Sequence, residues 1–127
     1  MVTYHEDDDL TPRALYSLKM VLEHEKEVRK TFDVKAWVSN ARFPALHLEY
    51  LGVCKDHQGQ GLGSVILLDA ISKFCTVAQL TGVPVLTLQP LNPELRRYYG
   101  ARNFVDYGRN GGMLIRAETA MKLFQAL

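Results

Sequence analysis

Between Lys55 and Ser64 the chain reads Lys-Asp-His-Gln-Gly-Gln-Gly-Leu-Gly-Ser, and glycines at 59, 61 and 63 let backbone come close to a ligand. An apolar strand pattern precedes this stretch and a long apolar helix pattern follows it. The loop therefore opens into a helix whose first N–H groups have no intrahelical partner. Several such donors, backed by the positive end of the helix dipole, make a cradle for phosphate or pyrophosphate that needs no basic side chain. The alternative is a tight strand-to-helix turn with no ligand. Spacing excludes two common phosphate motifs: Gly59-Gln-Gly61-Leu-Gly63 is not G-x-G-x-x-G, and the G-K-S/T ending of a nucleotide-hydrolysing P-loop is missing. Upstream, Leu46, Leu48 and Tyr50 alternate with His47, Glu49 and Leu51, which places His47 and Glu49 on one face of a strand.

The elements that must hold these residues follow from pattern and punctuation. Val2 to His5 reads as a short strand and Glu6–Asp9 as an acidic turn. Thr11-Pro12 has the form of an N-cap followed by proline at the first helical position, with Leu10 and Leu15 as a hydrophobic staple. A helix is expected from there, carried by Leu15, Leu18, Leu22, Val28 and Phe32, with a solvated charged face between Glu23 and Lys30. Lys35–Asn40 suggests another short strand and Ala45–Cys54 a stronger one. The helix after the glycine loop runs to about Leu80, with Gly82 as its C-terminal cap. Val83–Gln89 reads as a buried strand, and Asn92-Pro93 starts a second helix through about Arg102. Phe104–Tyr107 and Met113–Arg116 are strands joined at Asn110-Gly111-Gly112, and Glu118–Ala126 is a short terminal helix. The pattern is α/β.

Composition bounds the function classes. With 127 residues, 47% of them hydrophobic and 23% charged, the chain suits one domain over 1–127. Roughly two thirds of the unfolded surface is buried at this size, so disulfides or a structural metal are not required. Fifteen Lys+Arg against fourteen Asp+Glu leave a net charge of +1, which supplies no global field for nucleic acid or an acidic membrane. Cys54 and Cys75 lack metal-ligand spacing, so no metal is expected, and they read as reduced thiols of a cytoplasmic protein. The N-terminus lacks the basic and apolar regions of a signal peptide, and no run approaches the length of a membrane span.

Gln58-x-x-Gly61-x-Gly63 after an apolar strand matches the coenzyme A motif Q/R-x-x-G-x-G/A, and in this the chain resembles the GNAT N-acetyltransferases. Asn92-Pro-Glu-Leu-Arg-Arg-Tyr-Tyr99 followed by Phe104 resembles the same family's N-x-x-A-x-x-x-Y segment, with Leu95 in place of alanine and Asn103 in place of the glycine before Phe104. The likeness covers roughly Ala45–Leu127. It implies the acyl-CoA N-acyltransferase fold, α/β with a mixed central sheet flanked by helices, in which 45–127 is the coenzyme A-binding core. Residues 1–44 form a shortened acceptor-side region, and the short opening motivates the expectation of a homodimer.

By that resemblance the backbone of Leu51, Gly52 and Val53 pairs with the pantetheine arm of acetyl-CoA. The N–H groups of Gln58, Gly59, Gln60, Gly61, Leu62, Gly63 and Ser64 take the pyrophosphate, and Asn92 lies near the pantetheine or the acceptor. Tyr99 is the candidate acid that protonates the departing thiolate, with Tyr98 as the core aromatic; outside the family context either tyrosine reads as packing. An acceptor amine must lose a proton before attack, and Glu49 or His47 is placed to take it, directly or through water. The alternative for both is a satisfied polar residue at the sheet edge. Val53 N–H could polarise the acetyl oxygen. Cys54 reads as a buried thiol rather than a nucleophile, and Arg96, Arg97, Arg102 and Arg109 as a basic set near a 3′-phosphate or as solvated surface. The implied activity is acetyl transfer from acetyl-CoA to a primary amine in a ternary complex. Alternatives are a toxin-type member acetylating aminoacyl-tRNA, disfavoured by the near-neutral charge, and a non-catalytic coenzyme A-binding or protein-interaction module.

Overall fold

Period-two apolar alternation makes Arg42–Val53 the organising strand, β3, and every other described strand is ordered around it. The computed structural model describes residues 2–5, 12–24, 42–108 and 110–125. In chain order the elements are β1 (Val2–His5), β2 (Pro12–His24), β3, a 3₁₀ turn (Lys55–His57), α1 (Leu62–Thr81), β4 (Val85–Leu88), α2 (Pro93–Gly100), β5 (Val105–Tyr107), β6 (Gly112–Arg116) and α3 (Ala117–Gln125). They form one six-stranded sheet in the order β1-β2-β3-β4-β6-β5, parallel between β3 and β4 and antiparallel elsewhere, flanked by helices. The mixed α/β sheet expected from the sequence is the one observed.

The segment after Pro12 corrects the expectation of a helix. Leu15, Leu18 and Leu22 do fall at helical spacing, but the side chains actually buried are Ala14 and Tyr16, and Leu22 is 65% exposed. That burial has period two. Pairing with β3 from Ala14↔Val53 to His24↔Arg42 gives one edge of β2 backbone partners and overrides a local helix signal. Pro12 is tolerated because it is the first residue of the strand. The Glu6–Asp9 turn, Thr11, Val28, Phe32 and the Lys35–Asn40 strand lie outside the described residues.

One sheet face carries the main core. Ile66, Leu67, Ala70, Ile71 and Phe74 of α1 pack there against Leu46, Leu48, Leu86 and Ile115, and Ala120 of α3 closes the same cluster. The opposite face buries Phe43, Ala45, Val85 and Leu114, with Val21 and Tyr107 packed against them and Tyr107 donating its hydroxyl to Glu23 at 2.9 Å. Helix α1 is 20 residues long, which corrects the reading that no run approaches the length of a membrane span. Its length and composition would allow a crossing, and in this fold they serve core packing on the sheet. Gly82, at φ 76°, ends it as expected, its N–H returning to Ala78 O at 2.7 Å.

Tyr16 ties β2 to α1 by donating its hydroxyl to Asp69, which also faces Lys73 at 3.7 Å. Burial first, and then the Asp69 carboxylate, push the Tyr16 phenol above its ordinary value. A raised folded-state value means stability is complete below the unfolded value near 10 and is lost as pH rises past it. Urea midpoints measured from pH 8 to 11 should therefore fall beyond about pH 10, and Tyr16→Phe should flatten that fall.

Candidate functional site

The site is made by two strands that part. β3 and β4 stay in register over Leu46↔Leu86, His47↔Thr87 and Leu48↔Leu88; β4 then ends, whereas β3 runs on to Val53. The same point on β3 carries a bulge: Leu18 pairs with Leu48 and Ser17 with Tyr50, which leaves Glu49 as the extra residue. A bulge reverses the alternation. Leu46 and Leu48 face the helices before it, and Leu51 and Val53 pack on that same cluster after it, so Leu51 lies on the face opposite His47, correcting the simple alternation.

Where the strands part lies a cleft of about 720 Å³. Of the residues singled out from the sequence, Glu49, Leu51, Gly52 and Val53 line its β3 wall, Gln58, Gly61, Gly63 and Ser64 its loop end, and Tyr99 its helical side. Tyr50, read from the sequence only as part of the strand alternation, also lines it and lies across Gly52, where a Cβ would come within 2.8 Å of the Tyr50 hydroxyl.

Among the described residues the loop leaves its backbone donors from Gly59 onward unclaimed, whereas the Gln58 N–H is given to Lys55 O at 3.4 Å. Gly59 and Gly61 hold φ of 79° and 76°, a region costly for side-chain-bearing residues, and Gly61 is the N-cap of α1. Among the described residues no side chain caps the helix, and no acid occupies its first turn. Gln58 Nε2 donates to Val53 O at 3.2 Å and so ties the loop to the end of β3. Gln60 instead turns to Arg13, whose Nη2 donates to it at 3.5 Å, and Leu62 sends its side chain into the core while its backbone opens α1.

Asn92 performs the capping role its spacing predicts: Oδ1 accepts from Leu95 N at 2.8 Å. Its carboxamide is thereby engaged at the start of α2, beside the cleft residues Leu91 and Leu95. From α2 two tyrosines reach the cleft, with rings edge-on at 5.5 Å. Their burial reverses the expectation. Tyr99 is the core member, 8% exposed and edge-on to Phe104 at 5.6 Å, while Tyr98 is half-buried with its hydroxyl 2.9 Å from Ser64 Oγ. Among the described residues the Tyr99 hydroxyl has no hydrogen-bond partner. Burial, reinforced by Tyr98, pushes its phenol upward, so it is a proton carrier at neutral pH.

The two base candidates separate. Glu49 lines the cleft and pairs with Lys19 Nζ at 3.1 Å, both half-exposed. His47 is turned away from the cleft, its Nδ1 2.8 Å from the fully buried Thr87 hydroxyl. Burial, with the Lys19 charge, lowers the His47 value against the opposing pull of Glu23 and Glu49. A depressed imidazole adds stability above the unfolded value of about 6.5, lost as pH falls through the folded one. Acid titration of stability below pH 6.5 should accordingly be shallower in His47→Gln than in the parent protein.

The arginines also divide. Arg96 binds Asp106 and the Gly111 carbonyl, Arg97 is exposed, Arg102 stacks on Tyr98, and Arg109 lies outside the described residues. Cys54 is exposed rather than buried, its thiol donating to Pro12 O at 2.7 Å, because the bulge and the turn after Val53 carry it out of the sheet. Cys75 is half-buried on α1, which raises its thiol. Among the described residues no three His, Cys, Asp or Glu side chains converge on a metal site.

No family model and no curated protein sequence matches the chain. Solved structures do. A crystal structure of a bacterial toxin superposes with TM-score 0.80 at 13% identity, over 91% of this chain and 66% of that one. The fold is thus shared over nearly the whole length. This is the GNAT fold. A tyrosine-to-phenylalanine mutant of the toxin KacT matches with TM-score 0.75 at 17% identity, over 86% of this chain and 65% of that chain. The toxin AtaT, complexed with acetyl-methionyl-tRNAfMet, matches with TM-score 0.72 at 18% identity, over 86% and 65%. The chain thus spans just under two thirds of the length of these GNAT-fold neighbours.

Proposed function

We propose that this chain transfers an acetyl group from acetyl-CoA to an amine. The observation that carries the reading is the parting of β3 and β4 beside the uncapped, glycine-opened start of α1. An elongated thioester fits such a cleft. Its pantetheine arm would pair with the backbone of Leu51, Gly52 and Val53, and its pyrophosphate would meet the N–H groups from Gly59 to Ser64, the Gln58 N–H being already given to Lys55 O at 3.4 Å. The structure of a tyrosine-to-phenylalanine mutant of AtaT bound to an antitoxin C-terminus and acetyl-CoA, which shares this fold with TM-score 0.69 at 17% identity, supports the choice of ligand.

In this reading the acceptor nitrogen attacks the acetyl carbonyl, the carbon–sulfur bond breaks, and the thiolate leaves with a proton from Tyr99, whose phenolate regains one from the second proton the nitrogen sheds as the amide forms. Glu49 takes the proton of the acceptor ammonium through water, and His47, facing Thr87, is the weaker choice for that step. Val53 N–H supports the acetyl oxygen as charge develops on it. Homodimerisation belongs to the same reading, supported by Met20 and Leu22 exposed on β2, and light scattering at the 14.4 kDa monomer mass would remove it.

A second reading narrows the acceptor to aminoacyl-tRNA. It is supported by the toxin neighbours, one of them holding acetyl-methionyl-tRNA. Calorimetric titration with acetyl-CoA, run beside dephospho-CoA, tests the first reading: micromolar binding is expected, and none at millimolar ligand would leave an interaction module instead. Cell-free translation with acetyl-CoA tests the second. Inhibition together with acetyl-aminoacyl-tRNA supports it, whereas absence of both ends it.

A further inference from the structure

The C-terminal end of α2 is closed by a side chain rather than by backbone alone. The carbonyls of Arg97, Tyr99 and Gly100 accept from the N–H groups of Ala101, of Arg102 and Phe104, and of Asn103 respectively. The Tyr98 carbonyl accepts instead from Arg102 Nη1 at 2.9 Å. A cation there also complements the negative end of the helix dipole. The same guanidinium lies 3.5 Å over the Tyr98 ring, and its Nη2 donates to Ser64 Oγ at 3.3 Å. Ser64 Oγ is in turn 2.9 Å from the Tyr98 hydroxyl.

These contacts close a triangle between two helices. Arg102 can only donate, so Ser64 accepts from it and shares its second hydrogen bond with Tyr98 in either sense. Ser64 belongs to the first turn of α1, at the loop end of the cleft, and Tyr98 is the neighbour on which the Tyr99 ring rests edge-on. A planar, forked and stacking cation fits all three contacts at once. A lysine ammonium does not.

The geometry points to Arg102 as a positioning residue: it clamps α2 to the first turn of α1 through Tyr98 and Ser64, and so holds the Tyr99 hydroxyl over the cleft at the spacing set by the phosphate-facing loop. Its consequence for catalysis rests on the acetyl-transfer reading, whereas the clamp itself does not. Arg102 acts through other residues and touches no reacting atom.

The test compares Arg102→Met, which keeps the aliphatic stem, and Arg102→Lys, which keeps the charge, each first shown folded by circular dichroism. Hydrogen exchange in ligand-free protein should be faster over 93–100 and over the first turn of α1 in both variants. Unchanged exchange overturns the clamp whatever the activity. Acetyl transfer from acetyl-CoA to a primary-amine panel and to the aminoacyl-tRNA pool should fall in kcat by about 10–100-fold, a larger change than any rise in KM for acetyl-CoA. In a Tyr99→Phe background Arg102→Met should add little further loss, because both act on one hydroxyl. A raised KM at unchanged kcat, full rescue by lysine, or an additive double mutant would each overturn the assignment. If the parent protein neither binds nor turns over acetyl-CoA, the acetyl-transfer reading fails, and exchange still decides the clamp.

Discussion

Tyr99→Phe is expected to lower acetyl transfer by about 10²–10⁴-fold while leaving acetyl-CoA affinity and the fold intact. The size follows from the task assigned to the hydroxyl. A departing thiolate without a proton donor must leave as an anion in a cleft walled by Leu48, Leu51 and Leu88. Intact folding follows from the packing. The phenyl ring keeps its edge contacts to Tyr98 and Phe104, and no hydrogen bond to the hydroxyl is broken among the described residues. Because burial raises the Tyr99 phenol, the proton stays in place through neutral pH. An alkaline limb in kcat should begin above the ordinary tyrosine value near 10 and vanish in the phenylalanine variant. Steady-state kinetics with calorimetry checks the claim: undiminished turnover takes Tyr99 out of the mechanism, and loss of the folded circular-dichroism signal returns it to the core alone.

Gly61→Val should weaken acetyl-CoA binding at least tenfold. Gly61 holds φ 76° as the N-cap of α1, with nothing within 4 Å of where its Cβ would stand. Space is therefore no obstacle, and the cost is conformational. A β-branched residue in the left-handed region is strained by about 1–3 kcal/mol, so the loop relaxes by turning its N–H groups away from the cleft. About 1.4 kcal/mol of lost alignment is already tenfold in affinity. Gly61→Ala should lose less, and Gly63→Ala less again, since Gly63 lies inside the helix without positive φ and its Cβ would meet only Val53 at 3.9 Å. Equal losses from all three would mean that filling the cleft matters and the backbone angle does not. Calorimetric titration of the three variants separates the two.

The site was legible where its signals are local. A glycine loop between a strand and a helix, a proline after an asparagine cap and a glycine after the last turn of α1 each require only neighbouring residues to be read, and each stands where the sequence places it. The resemblance of Gln58-x-x-Gly61-x-Gly63 and of the Asn92–Tyr99 segment to GNAT motifs nominated Gln58, Gly61, Gly63, Ser64 and Tyr99 for one site, and all five line the cleft. The reading failed where partners are distant in sequence. Leu15, Leu18 and Leu22 satisfy a helical spacing as well as they fit a strand, and β3 decides between them by offering an extended edge.

The bulge at Glu49 has no sequence mark either, yet it moves Leu51 to the helix face, leaves His47 against Thr87 and brings Cys54 to the surface. Arg102 reads as one of several surface arginines until Ser64, at a separation of 38 residues, is found under its guanidinium. The sequence by itself determined the α/β pattern, the glycine loop that opens α1 and the helix that bears Tyr99, because capping, glycine conformation and apolar periodicity are short-range energies. Tertiary structure alone decided that β2 is a strand, on which face each residue after the bulge lies, and which tyrosine is buried against Phe104, because those outcomes depend on pairing and burial between segments that no local pattern brings together.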